Sequence, residues 1–147
     1  MTLLRDSLIS GALTAISSAT AAMLLARREG QRPAVAVNAV SHWLWGPRAA
    51  WHDEVSIQYT ATGAATNTAA CVWWAGVYEW LRGRLPATPA ATLAAGPAVA
   101  ALAYVVDYHV VPARLTPGYE LRLSNRSLGW LYVVIGLSLP VRALLDR

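Results

Sequence analysis

The chain has no lysine and no phenylalanine, a single cysteine, and only 14% charged residues. Each scarcity excludes something. One thiol, Cys71, rules out an intrachain disulfide and any cysteine-rich metal cluster. It falls within an apolar run, where a small buried packing residue is expected. Soluble domains carry about 25% charged side chains. A chain of 147 residues with so few would expose broad apolar patches in water. Catalytic signatures are missing as well. There is no Ser elbow of the GxSxG type, no GxGxxG or other phosphate loop, and no HExxH or CxxC spacing. An enzyme is therefore not the favoured class. The twelve basic residues are all arginine and fall in short clusters between apolar stretches. They form no basic stripe interleaved with aromatics, so the net charge of +4 suits lipid headgroups rather than nucleic acid.

What is present is long, uncharged and apolar. Hydrophobic residues make up 56% of the chain. A helix needs about 20 residues to cross a bilayer core. Ser7 to Ala26 gives 20 without charge, Val55 to Tyr78 gives 24 and Leu85 to Val106 gives 22. Ser127 to Val141 gives only 15, but Ala143, Leu144 and Leu145 continue the apolar surface if Arg142 snorkels toward the headgroups. These stretches predict an all-α, single-domain integral membrane bundle over residues 1–147. Its four transmembrane helices are expected at about 7–26, 56–80, 87–110 and 127–145. Ala19-Thr20-Ala21 resembles a signal-cleavage site, yet Met23, Leu24 and Leu25 run on to Arg27-Arg28, the pattern of a retained span.

Between the first two stretches, residues 34–45 are uncharged but too short to span. With Trp43, Trp45 and Trp51 nearby they predict an interfacial or shallow re-entrant helix. Gly11, Ala15, Ser18, Ala19 and Ala22 form a stripe along which another helix can approach closely. Pro97 and Pro140 predict kinks. The short turn at residues 82–86 makes the second and third stretches an antiparallel pair.

Four crossings would place the first and third connections on one side, and the unusual polar residues gather there. The candidate cluster is Asn38, His42, Thr62, Thr66, Asn67, Asp107, His109, Arg114 and Glu120. Thr62 and Thr66 lie four apart and share a helix face. Asp107, a carboxylate near the end of a span, needs water or a cation, and Arg114 or an arginine of the first long connection is the expected partner. Glu79 is expected to pair with Arg82 or Arg84. That side holds seven arginines and the other five, which mildly favours the long connections facing the cytoplasm.

Two strings carry a resemblance. Asn38-Ala39-Val40-Ser41-His42-Trp43-Leu44-Trp45-Gly46 is one, and the run from Asp107-Tyr108-His109 to Thr116-Pro117-Gly118-Tyr119-Glu120 is the other. Together they resemble the YagU-like group of small four-span bacterial inner-membrane proteins, which implies that the two connections carry what is distinctive. Thr116-Pro117-Gly118 reads as a type II turn, from which Glu120 could fold back toward Arg114 or Arg122.

The expected role is structural or accessory, in the bacterial inner membrane, with the lipid bilayer and other membrane proteins or further copies of the chain as partners and no nucleic acid. No cofactor or metal is expected. A small transporter using the polar end of the second helix with Asp107 is the alternative. A cofactor-binding membrane enzyme using His42 and His109 is the third.

Overall fold

The computed structural model describes residues 2–146, and all regular structure among them is helical. The long elements are α1 (Leu3–Arg28), α4 (Thr62–Arg82), α5 (Pro89–Val105) and α6 (Asn125–Ser138). Short helices α2 (Ala34–Val40) and α3 (His42–Trp45) follow α1, and α7 (Val141–Leu145) closes the chain. Thr88 caps α5 by accepting from the Ala91 amide at 3.2 Å, with Pro89 at the first helical position. Single π-helical turns lead into α4 (Ile57–Ala61) and extend α5 (Val106–Val110).

Three helical stretches are long and apolar enough to cross a membrane: Leu3–Arg28, Pro89–Val110 and Asn125–Leu145. α4 has the length, at 21 residues, but not the hydropathy. Thr62, Thr66, Asn67, Thr68 and Glu79 dilute it.

The packing is inverted relative to a soluble bundle. On α1 the buried face is Asp6, Ser7, Ser10, Gly11, Thr14, Ala15, Ser18, Ala22 and Ala26. Its leucines and isoleucines point outward: Leu4 is 69% and Ile16 67% exposed. Small and polar groups inside, branched aliphatics outside, is the arrangement that hydrocarbon favours. The stripe foreseen on α1 serves α4, its most extensive partner. A Cβ on Gly11 would lie 2.5 Å from the Val72 Cα, so only glycine permits this approach. Contacts from Ser10–Glu79 to Ser18–Asn67 show the two helices running antiparallel.

Both prolines fall where helices meet. At Pro140 the helix breaks between α6 and α7, as foreseen, whereas α5 runs on through Pro97. Gly96 lies against the Gly136 carbonyl, and the missing side chain is what lets α5 and α6 touch.

Beside the N-terminal end of α1 one charged group departs from expectation. Arg142 does not snorkel. It is 5% exposed and turns inward, its guanidinium 2.8 Å from Glu79 Oε1, 2.7 Å from Asp146 Oδ2 and 3.5 Å from Asp6 Oδ1. Ser10 donates to the same Glu79 oxygen at 2.7 Å, and Arg82 donates to Glu79 Oε2 at 2.9 Å. The Glu79–Arg82 pair is as expected, while Arg84 instead lies 3.8 Å from the centre of the Trp80 ring. The helix expected over 34–45 is two helices, and α2 is buried along its whole length.

Candidate functional site

The two long connections meet at one end of the bundle. Arg122 ties them together: it donates to the Ala50 carbonyl at 2.7 Å, to Gln31 Oε1 at 2.9 Å and to Asp53 at 3.1 Å. The Trp43 indole donates to the Thr116 carbonyl at 2.8 Å. Glu29, just past α1, accepts from the Ser124 amide and hydroxyl and from Ser127 at the start of α6. Burial works to raise its pKa, but these serine hydrogen bonds outweigh it and hold the carboxyl below its ordinary value. An additional ion pair joins Arg32 to Glu54.

Three members of the predicted polar cluster, Asn38, His42 and Glu120, brace this cap. Asn38 is fully buried; it donates to the carbonyls of His52 (2.8 Å) and Glu54 (2.9 Å) and accepts from the Thr60 hydroxyl (2.6 Å). The segment from His52 to Glu54 is thereby clamped onto α2. His42 places Nδ1 2.9 Å from the Ala39 carbonyl, which requires the proton on Nδ1; Nε2 is buried with no hydrogen-bond partner among the described residues. Glu120 does not reach Arg114 or Arg122. It accepts from the Gly118 amide at 2.9 Å and from the Thr116 hydroxyl, bracing its own turn. Gly118 has φ +95°, as a type II turn requires, and packs against Ala39 and His42.

The exposed Arg114 is likewise not the partner of Asp107. Asp107 accepts from the Tyr132 hydroxyl at 2.7 Å, and the Trp74 indole also hydrogen-bonds to it. His109, on the same π-turn, faces outward and contacts the Tyr104 ring at 5.8 Å. His42 and His109 thus sit in different surroundings, and no three His, Cys, Asp or Glu side chains converge among the described residues.

Three of the predicted residues do come together. Thr66 and Asn67 from α4 and Asp107 from the π-turn line one cavity of about 230 Å³, under the cap. Trp43, Trp74 and Tyr119 form much of its wall, with the exposed Trp73 beside them. Thr62 stays outside and accepts from Trp45 at 3.3 Å. Asn67 is held on every side: it donates to the Ala15 carbonyl and Ser18 hydroxyl and accepts from the Tyr119 hydroxyl at 2.9 Å. Cys71 is buried beside Ser18, in keeping with a packing role.

Sequence reasoning missed the Arg142–Glu79–Asp6 group. The one available signal was Arg142 itself, an ionised residue interrupting a span and so in need of a counter-charge. Known protein families, curated proteins and solved structures give no match to this chain.

Proposed function

We propose that this chain is a four-crossing bacterial inner-membrane protein with a structural or accessory role, docking other membrane proteins at its loop end. The fourth crossing is α4. It lies antiparallel along α1, a span-length helix, from Glu79 beside Ser10 to Asn67 beside Ser18, so it traverses the same thickness. Its buried face, which includes Asn67 and Glu79, packs against α1, α2 and α5, and so holds polar residues that hydrocarbon would not. The arginine distribution and the resemblance to YagU-like proteins support the inner membrane, with the cap facing the cytoplasm.

The observation that carries the accessory role is the self-sufficiency of the cap. Asn38, Glu120 and Arg122 are engaged within the chain, so the connections form a preorganised surface rather than a set of free reactive groups. That surface carries exposed apolar side chains, among them Leu44 (67%), Trp51 (73%), Val55 (78%) and Ile57 (89%). Exposed apolar patches of this sort mark contact sites. Purification in mild detergent should recover a second membrane polypeptide at fixed stoichiometry, lost on Trp51→Ser with Ile57→Ser. A monodisperse lone protein would refute the reading.

The cavity that unites Thr66, Asn67 and Asp107 favours a second reading, a small solute-binding or permeability protein. In that case liposomes containing only this chain pass a solute, and Asp107→Asn stops the flux.

A further inference from the structure

We propose that the cavity beneath the cap binds a small organic ammonium ion, of about the size of choline, with Asp107 as its counter-charge and the surrounding indoles and phenol as its cage. This goes beyond the accessory role and rests on the pocket of the second reading, though not on passage of anything through it. Four observations select this chemistry. First, the cavity wall contains one ionisable carboxylate and no arginine or histidine. Asp107 meets only neutral donors, Tyr132 and Trp74, so its charge has no cationic partner among the described residues. An ionisable group near the end of a span that lacks a counter-ion is a site for one.

Second, the lining donors other than Trp73 are already engaged. Thr66 donates to the Thr62 carbonyl, Asn67 to Ala15 and Ser18, Trp43 to Thr116, Trp74 to Asp107 and Tyr119 to Asn67. Those groups therefore present an anion with no free N–H or O–H. Third, Trp43, Trp73, Trp74 and Tyr119 surround the same space, and aromatic faces attract cations, alkylammonium groups above all. Fourth, 230 Å³ falls below the roughly 300–1,000 Å³ of pockets for drug-sized ligands, so the occupant has only a handful of heavy atoms.

The opposite end of the bundle shows what the chain does with buried carboxylates that require no ligand. There Glu79 and Asp6 receive Arg142 from within the chain. Among the described residues no such arginine reaches Asp107.

The test is titration of the full-length protein in nanodiscs, followed by tryptophan fluorescence and calorimetry. The probes are choline chloride, its uncharged isostere 3,3-dimethylbutan-1-ol, and sodium acetate. Choline should give a saturable change. Asp107→Asn should weaken it by about tenfold or more, the order expected when one partner of a desolvated charge contact is removed. Trp43→Leu should weaken it less. The alcohol and the acetate should not bind. An unchanged thermal midpoint for Asp107→Asn separates loss of binding from loss of fold. Equal binding of choline and the alcohol, unaltered choline binding in Asp107→Asn, or no saturable choline response would each overturn the proposal. Choline binding without liposome flux would leave it standing while removing the transport reading, and neither result bears on co-purification of a partner.

Discussion

The two ends of this bundle treat buried carboxylates in opposite ways. At the α7 end, Glu79 and Asp6 are closed in by Arg142 and Arg82, with Ser10 completing the network. At the cap end, Asp107 lies half-buried at the edge of a cavity and meets hydroxyl and indole donors instead of a guanidinium. The first arrangement neutralises charge to hold three segments distant in sequence. The second leaves a charge available. A network whose members satisfy each other is a fastening, and a carboxylate without its cation beside an aromatic-walled space is a place for something to arrive.

Breaking the fastening should have the largest consequence. Arg142→Met leaves Glu79 and Asp6 buried without their main counter-charge, a situation that costs about 3–5 kcal/mol. Thermal unfolding in detergent should show a large drop in midpoint, and Arg142→Met combined with Glu79→Gln should recover much of it. Next comes the turn beneath the cap. Gly118→Ala forces a Cβ onto φ +95° and to within 2.7 Å of His42 Nδ1, so a loss of about 1–3 kcal/mol is expected in the same assay. By contrast Asp107→Asn should change stability by only about 1 kcal/mol or less, because the amide oxygen still accepts from Tyr132. An Asp107→Asn effect as large as that of Arg142→Met would erase the distinction between the two ends.

The smallest effect belongs to Glu29. Its pKa is held below the unfolded value of 4.5, so its contribution is present above that value and fades as pH falls through the lower folded one. The midpoint difference between wild type and Glu29→Gln should therefore be visible at neutral pH and vanish in acid. Because Glu29 is exposed, solvent screening keeps that difference small.

Which of these features the sequence made legible follows from what hydropathy encodes. Expected segments at 7–26, 56–80, 87–110 and 127–145 correspond to α1, α4, α5 with its π-turn, and α6 with α7. Charge-free length reports where a helix can run, and connectivity then brings the two long connections to one end, as the Arg122–Ala50 and Trp43–Thr116 bonds show. Helix rotation is a different matter. Whether Arg142 turns outward or inward depends on the face α7 presents to α1 and α4, and its partner Glu79 lies 63 residues away. The same holds for Asp107. Arg114 was its nearest cation in sequence, but the π-turn aims the carboxylate at Tyr132 on α6. Glu120 shows the converse: a local hydrogen bond to the Gly118 amide won over two nearby arginines, because a turn amide is already in place. Asn38 carried no local signal for the carbonyls it clamps at His52 and Glu54.

The cap requires both long connections to emerge on one side of the membrane. One measurement bears on this most directly: labelling of single cysteines by a membrane-impermeant maleimide, in inverted and right-side-out vesicles, in a Cys71→Ala background. Arg48→Cys and Arg114→Cys should react from the same side, and Gly83→Cys only from the other. Reaction of positions 48 and 114 from opposite sides, or of position 83 together with either, would contradict the account.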